Sequence, residues 1–188
     1  MIEQARKKYP EIEFVVGNGE AFAFDRPFHA VFSNAALHWM KNADQVIRCV
    51  KNVLVKDGRF VVEFGGKGNV GRIVEAISKV LSEDYGIDAS LLNPWYFPSI
   101  GEYSSLLEQQ GFRVNYAVHF DRPTKLEDGE NGLHHWLAGF AADDFFKGCS
   151  EEEKSNIFKR VSDEARKDLF KDGVWYADYK RLRVVAVK

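Results

Sequence analysis

The sequence predicts an α/β fold built on a parallel sheet. Two short apolar runs, residues 14–16 and 30–32, are each followed by small and polar residues, which is typical of strands buried on both faces. A strongly amphipathic helix over residues 42–56 is followed by a third apolar run, residues 59–64, so strand, helix and strand form a βαβ unit with a right-handed crossover. In such sheets ligands bind beyond the carboxyl ends of the strands, so the polar residues that follow each strand are candidate site residues.

Composition limits the classes of function. The chain has 188 residues, 45% of them hydrophobic, which is enough for one sizeable core. Its net charge of −2 gives no basic field, so neither nucleic acid nor a membrane surface is an expected partner. No apolar run approaches the roughly 20 residues that span a bilayer, and the first ten residues are too polar for a signal peptide. Cys49 and Cys149 lie far apart without metal-ligand spacing, so both are expected to be reduced in a cytoplasmic protein.

The first 64 residues should contain two helices and three strands. The first eight residues have the pattern of a helix C-terminus, and Pro10 stops it. Asn42 is the expected N-cap of the second helix, with Gln45 three residues on. The predicted strands cover residues 13–16, 29–33 and 59–64.

The rest of the chain is predicted to be mainly helical. Apolar periodicity indicates a helix over residues 70–81, and the two prolines of residues 93–98 exclude regular structure there. Capping boxes begin two further helices at Ser99 and Ser150, the first of which ends at Gly111. An aromatic helix is expected over residues 132–146, and strands over residues 112–120 and 181–187. Because no repeat or linker interrupts the chain, residues 1–188 are predicted to form one domain, with a helical insertion at about 122–177.

One glycine-rich motif follows a predicted strand. Residues 66–71 have the spacing GxGxxG and open a helix, as in loops that place backbone N–H groups on a diphosphate. A nucleotide-dependent oxidoreductase using Gly66–Gly71 is therefore one alternative function. However, Glu83 and Asp84, which lie near the distance of a ribose-binding acid, fall at a helix end. A plain loop at the ligand edge of the sheet is the preferred interpretation.

The histidines indicate general acid–base chemistry more than metal binding. None of the five stands in HxxxH or HxH spacing with carboxylates, so no metal site is predicted. His38, at the carboxyl side of a strand and beside Trp39, is the first candidate for catalysis, and a packed structural histidine is the alternative. His135 is the second candidate, although a structural role is its default.

Several segments, in a consistent order, resemble the class I S-adenosylmethionine-dependent methyltransferases, and most of all the trans-aconitate methyltransferase-like enzymes. The segments are residues 1–40, 58–70 (GRFVVEFGGKGNV), 93–103 (NPWYFPSIGEY), 106–114 (LLEQQGFRV), 120–137 (FDRPTKLEDGENGLHHWL) and 175–188 (WYADYKRLRVVAVK). The resemblance covers nearly the whole chain. It assigns the GxGxxG motif to the loop after the fifth strand of that family.

The resemblance implies an incomplete Rossmann-like methyltransferase sheet, mostly parallel, with an antiparallel last strand and a helical insertion before it. The family order is 3-2-1-4-5-7-6, in which residues 13–16 would be strand 3 and residues 29–33 strand 4. Family strands 1 and 2, with the glycine-rich cofactor loop and the ribose-binding acid, have no counterpart, so the chain resembles a truncated domain. We therefore expect strand 3 to slide beside strand 4, or a homo-oligomer to form through the exposed edge.

The resemblance also implies S-adenosylmethionine as the cofactor. Asn18 would accept from the adenine amino group in place of the usual aspartate, and Gly19 would offer its backbone N–H to the ring. Met1 would pack near adenine, and the loop after strand 4 would border the methionine moiety and the acceptor. The implied cofactor-binding residues are Met1, Asn18, Gly19, Glu20, Ser33, Asn34, Ala35, His38 and Trp39.

The implied reaction is methyl transfer to a small-molecule acceptor, with a carboxylate as one candidate. A carboxylate needs no base, whereas a hydroxyl or amine would need His38 or His135. Arg181 is a candidate for binding an anionic substrate, and aromatic faces would attract the sulfonium. The expected substrate-binding residues are Trp39, Trp95, Tyr96, Trp136 and Arg181. A non-catalytic interaction module that binds a partner through its aromatic helices remains a third alternative.

Overall fold

The structure, a computed structural model, describes residues 2–188. Met1, and with it the predicted adenine contact of Met1, lies outside the described residues. Within residues 2–188 the helices are α1 (Ile2–Lys8), α2 (Ala43–Val53), α3 (Gly71–Tyr85), α4 (Ile100–Gln109), α5 (Gly132–Phe140), α6 (Ala142–Phe145) and α7 (Glu151–Leu169). The strands are β1 (Phe28–Asn34), β2 (Leu54–Gly65), β3 (Arg113–Asp121), β4 (Thr124–Lys125), β5 (Phe170–Lys171), β6 (Val174–Ala177) and β7 (Lys180–Val187).

The main sheet has four strands in the order β1-β2-β7-β3. β1 and β2 are parallel, with Ala30 opposite Arg59 and Asn34 opposite Glu63. β7 is antiparallel to both of its neighbours. The predicted α/β fold is confirmed, and the order matches family strands 4-5-7-6 with the last strand antiparallel.

Local sequence signals set the starts of the helices. The Asn42 side chain accepts a hydrogen bond from the backbone N–H of Gln45 at 3.2 Å, as the cap of α2 requires. Ser99 caps α4, and Ser150 forms a capping box with Glu153 at the start of α7. The predicted cap at Asn42 and the capping box at Ser150 are confirmed. At Ser99 the structure contains only half of the predicted box, the bond from the Glu102 N–H to the Ser99 side chain.

The predicted end of α2 at residue 56 is wrong. The helix ends at Val53, and the chain enters β2 at Leu54. Asp57 has a φ of +63°, which a helix does not accept. Its N–H donates to the carbonyl of Lys188, and the N–H of Lys188 donates to the carbonyl of Gly58. The C-terminus of the chain therefore holds this turn, a partner that local periodicity does not reveal.

The predicted strand at residues 13–16 does not form, and it does not slide beside β1. These residues have no regular structure, and Val15 and Val16 are 60% and 75% exposed. β1 lies at the edge of the sheet, and no described residue pairs with its outer side. A strand needs a neighbour for its backbone N–H and C=O groups, and residues 2–188 supply none for this segment.

The segment before β7 is not purely helical. It contains a second sheet, in the order β4-β6-β5, which the sequence analysis did not predict. The predicted helix over residues 132–146 divides into α5 and α6 at Ala141, a fully buried residue with a φ of −120°. The two helices pack with α7 and α3 around one apolar cluster, while α2 and α4 cover the main sheet with a second.

Candidate functional site

A cavity of 150 Å³ lies where β1 and β2 end. It joins the loop after β1, the loop after β2, the aromatic segment before α4, helix α5 and the start of β7. Its lining residues are Ala35, His38, Trp39, Asn69, Val70, Trp95, Phe97, Trp136, Phe140, Tyr179 and Arg181. We call it the aromatic cavity. Its place beyond the carboxyl ends of parallel strands is the one expected for a ligand site in an α/β sheet.

Trp95 organises the walls of the aromatic cavity. Its ring stacks on Phe97 at 5.7 Å between centroids and meets Trp39 edge-on at 5.7 Å. Trp136 lies 6.0 Å away on the other side. The indole N–H of Trp136 donates to the hydroxyl oxygen of Tyr179 at 2.7 Å, which fixes both rings. The walls are therefore rigid and apolar, with polar groups at few positions.

His38 is neutral, and one of its nitrogens is already used. The side chain is buried, and the backbone N–H of Gly65 donates to its Nδ1 at 3.3 Å. Burial, and then the nearby charge of Arg181, lower the pKa of His38 to about 4. Because Nδ1 accepts a hydrogen bond, the ring hydrogen lies on Nε2. In this state His38 offers a donor to the cavity and does not offer a base.

Arg181 is a half-buried cation without a carboxylate partner among residues 2–188. Its Nε is buried and has no hydrogen-bond partner there, and the guanidinium lies 4.6 Å from the centre of the Tyr179 ring. Burial lowers the pKa of Arg181, yet a guanidinium stays charged at neutral pH. Arg183 and Arg122, in contrast, both bind the carboxylate of Glu63. Arg181 is thus the cation available to an anionic ligand in the aromatic cavity.

Two residues that line the aromatic cavity have a strained backbone. Ala35 has a φ of +54° and Val70 a φ of +48°. Positive φ is uncommon outside glycine and most unfavourable for a β-branched residue such as valine. Such strain is concentrated at functional sites, where the surrounding structure holds it in place.

The turn at Asn18–Ala21 reaches the loop after β1. The Asn18 side chain accepts from the N–H of Glu20 at 2.9 Å. Gly19 approaches Met40 so closely that a Cβ would lie 2.5 Å from the sulfur. The Glu20 carboxylate accepts from the N–H of Asn42 at 3.0 Å, at the start of α2. The two segments predicted to flank the cofactor therefore meet at one rim.

A second cavity opens at this rim and shares Trp39 with the aromatic cavity. Its volume is 610 Å³, and it is lined by Glu20, Trp39, Lys41, Leu91, Leu92, Pro94, Asp143, Asp144 and Lys147. We call it the rim cavity. Because Trp39 lines both spaces, the two cavities adjoin at this residue.

Other predicted site residues lie elsewhere. Ser33 and Asn34 pair with β2, and Asn34 faces a separate pocket beside Glu63. The N–H of Tyr96 donates to the carbonyl of His38 at 2.9 Å, but the Tyr96 ring packs with the core of the sheet. His135 is exposed, with its Nδ1 2.8 Å from Asp128. None of these four lines the aromatic cavity.

Sequence analysis missed part of the lining. Asn69 is buried, and its side-chain oxygen accepts from the N–H of Lys180 at 2.9 Å. Its position within the GxGxxG motif was a signal, but it was interpreted as loop. Tyr179 stands two residues before Arg181 in the sequence, which is the only local hint of its contact with the guanidinium. Phe97 and Phe140 gave no signal beyond their aromatic character.

The glycine-rich loop does not have the free donors of a diphosphate site. The backbone N–H groups of residues 66, 67, 69, 70 and 71 all donate to carbonyl oxygens of the chain. The next N–H, of Arg72, donates to the carboxylate of Asp178 at 2.9 Å. An acid at this helix N-terminus would repel a phosphate. The structure therefore does not favour the oxidoreductase alternative.

Among residues 2–188, no helix is long and apolar enough to cross a bilayer. In the same range, no group of three His, Cys, Asp or Glu side chains is arranged to hold a metal ion.

Comparisons with known proteins agree on the fold. Residues 1–62 match the family described as methyltransferase domain. A methyltransferase of Schizosaccharomyces pombe, described as uncharacterised, is 38% identical over 170 residues, which are 86% of this chain and 63% of the relative. The chain thus spans less than two thirds of that relative's length.

Solved methyltransferase structures have a similar fold at lower sequence identity. A proposed methyltransferase of Bacillus halodurans gives a TM-score of 0.64 at 18% identity, over 100% of this chain and 78% of that chain. A loganic acid methyltransferase solved with SAH gives 0.60 at 12% identity, over 92% of this chain and 65% of that chain. The chain therefore has the fold of the class I S-adenosylmethionine-dependent methyltransferases, and its residues 1–62 carry the match to their methyltransferase domain.

Proposed function

We propose that this protein transfers a methyl group from S-adenosylmethionine to a small acceptor that carries a carboxylate. The family match and the fold support the cofactor. The observation that carries the choice of acceptor is Arg181, a half-buried cation in an aromatic cavity with no carboxylate partner among residues 2–188. Buried charges in proteins are paired, so a carboxylate ligand is the partner that this site lacks.

The rim cavity is the proposed place of the adenosyl group. Glu20 and Trp39 both line it, and Trp39 also lines the aromatic cavity. Asn18 and Gly19 directly precede Glu20 but line a separate apolar groove beside the start of β1. The cofactor supplies a methyl group on a positively charged sulfonium, which needs no further activation. The indoles of Trp39 and Trp95 would stabilise that charge through their faces. This chain's contribution is to hold the sulfonium methyl and the acceptor oxygen in contact and in line where the two cavities adjoin, beside Trp39.

Acceptor binding would use the aromatic cavity. Its volume of 150 Å³ limits the enclosed part of the acceptor to about one aromatic ring with its carboxylate. Arg181 would bind the carboxylate, and the walls of Trp95 and Trp136 would contact the apolar remainder. A carboxylate is already a nucleophile at neutral pH, so the reaction requires no base.

Arginine variants test this function. The full chain is incubated with S-adenosylmethionine and a panel of small carboxylic acids, each paired with its neutral amide, and formation of S-adenosylhomocysteine (SAH) is measured. We expect turnover with acids only. Arg181→Gln should raise the KM for the acid by about tenfold or more, because it removes a charge-assisted hydrogen bond.

Arg183→Gln is the matched control, with the same change of charge two residues along β7. Its guanidinium binds Glu63 outside the aromatic cavity, so its KM should remain near that of the parent. Equal effects of the two substitutions, or methylation of the amides, would contradict a carboxylate-binding role for Arg181.

A further inference from the structure

The aromatic cavity offers hydrogen-bond donors and lacks a free base. No aspartate or glutamate is among its lining residues within the described chain, and its titratable members are His38, Tyr179 and Arg181. Arg181 has only donors. The Tyr179 oxygen already accepts from Trp136, which leaves its O–H to donate. An acceptor that had to be deprotonated would find no obvious group to take the proton.

His38 is the third side chain that offers a hydrogen-bond donor to the aromatic cavity. The N–H of Gly65, at the end of β2, holds Nδ1 at 3.3 Å and thereby fixes the hydrogen on Nε2. Because Nδ1 is turned to the backbone, the edge of the ring left for a ligand is the Nε2–H edge. Three side chains from two segments thus present donors to one small space: His38 from the loop after β1, and Tyr179 and Arg181 from around the start of β7.

We propose that His38 binds the acceptor carboxylate as a neutral hydrogen-bond donor, fixed in that tautomer by Gly65, and does not act as its base. This inference rests on the proposed function and goes beyond it by assigning His38 a role in specificity. A ligand that accepts hydrogen bonds fits beside Nε2–H, whereas a hydroxyl or ammonium group would place donor against donor. Trp39, next in sequence, would contact the same ligand from the cofactor side.

The chemical step balances without a proton acceptor. A carboxylate oxygen forms a bond to the methyl carbon while the bond from that carbon to sulfur breaks, and the electron pair stays on sulfur. The products are a neutral methyl ester and SAH, and no proton moves. His38 and Arg181 would hold the other carboxylate oxygen and orient the attacking one.

Two substitutions separate the nitrogens of His38. His38→Gln places an amide N–H near the position of Nε2 and loses the acceptor for Gly65. His38→Asn keeps an acceptor near Nδ1 and loses the donor to the cavity. Benzoate is the probe, benzamide is its neutral control, and binding is followed by the fluorescence of Trp39, Trp95 and Trp136, which line the cavity.

We expect His38→Gln to bind benzoate within about threefold of the parent, and His38→Asn to bind it about tenfold more weakly, because a hydrogen bond to a charged group is lost. Tyr179→Phe removes the hydroxyl and keeps the aromatic ring. It should also weaken the binding of benzoate by several-fold. Benzamide should bind more weakly than benzoate to the parent.

The opposite order, with His38→Asn near the parent and His38→Gln impaired, would show that the Gly65 contact alone matters and would overturn the proposal. Equal loss in both variants, or equal binding of benzamide and benzoate to the parent, would do so as well. Calorimetry with SAH is a separate measurement. If SAH fails to bind while the benzoate order holds, the methyltransferase function fails and the donor role of His38 stands.

Discussion

His38 and Arg181 both lose solvent on folding, but only one of them can lose its charge. Burial favours the neutral imidazole, whereas a guanidinium stays protonated in a protein. In the aromatic cavity, Arg181 therefore keeps a fixed positive charge, whereas His38 is a neutral donor. This difference gives the site its preference for an anion without placing two cations side by side.

The lowered pKa of His38 predicts a pH dependence of stability. The pKa falls from 6.5 to about 4, so between these values the unfolded chain binds a proton that the folded chain does not. Stability should therefore decrease as the pH falls through this window, by about 2 kcal/mol between pH 7 and pH 5. Urea unfolding of the parent and of His38→Asn, which cannot titrate, measures this loss.

His38→Asn should lose less stability than the parent over the same range, since other groups titrate equally in both. Equal losses would show that the buried His38 is not the source. Near His38, Arg181 is the charge that acts on its pKa in addition to burial, and it does not titrate in this range.

The sequence could predict those site residues that stand directly after a strand or within a recognisable short motif. His38 and Trp39 follow a strand, and Trp95, Trp136 and Arg181 stand in quoted motifs; the structure brings all five to one cavity. It could not predict Asn69 or Tyr179, because their partners are 111 and 43 residues away. Nor could it reveal that His38 is a donor, which depends on the position of Gly65.

At the scale of elements, the turn after β1 has a strained backbone and directs the loop that follows it. Ala35 has a φ of +54° and is exposed, and its N–H donates to the carbonyl of Glu63 at 2.8 Å. The left-handed conformation costs an alanine about 1–2 kcal/mol, part of which glycine would recover. The turn aims the following residues, including His38, at the aromatic cavity.

Ala35→Gly should therefore raise the free energy of unfolding by about 0.5 kcal/mol, because relief of strain exceeds the added entropy of the unfolded chain. Ala36→Gly is the matched control. Ala36 has a φ of −119°, so glycine relieves nothing there and should destabilise by up to about 1 kcal/mol. Urea unfolding compares the two variants, and destabilisation of Ala35→Gly by as much as Ala36→Gly would contradict the strain.

Elements that depend on hydrogen bonds between residues close in sequence were predicted correctly, whereas elements that depend on a distant partner were not. The caps at Asn42, Ser99 and Ser150 were predicted because their hydrogen bonds join residues three apart. The strand at residues 13–16 was wrong because strand formation depends on a neighbour, and apolar composition does not supply one. β4 and β5 have two residues each, too few to show a period.

At the scale of the whole molecule, the outer edge of β1 is unpaired within residues 2–188. Phe32 on this strand is 72% exposed. An apolar groove of 610 Å³ lies beside its start, lined among others by Val15, Phe24 and Phe28. An open edge with apolar residues tends to pair with another chain.

We expect light scattering to detect concentration-dependent self-association of the chain. Phe32→Lys should weaken it by about tenfold or more, because a lysine on an edge strand puts a charge on the sheet face next to the pairing edge, where association would partly bury it. Leu91→Lys is the control, since Leu91 is 81% exposed but lies beside the rim cavity. A monomer at every concentration, or equal effects of both substitutions, would contradict association through β1.

The most direct measurement of the proposed function is calorimetric titration of the full chain with SAH. If the turn at Asn18 and Gly19 and the loop of Ala35–Trp39 hold an adenosyl group, a saturable heat should appear. The affinity should fall by about tenfold in Trp39→Ala, because the indole contact with the ligand is lost. Absence of heat at millimolar SAH, or equal affinity of the parent and Trp39→Ala, would contradict a cofactor site at this rim.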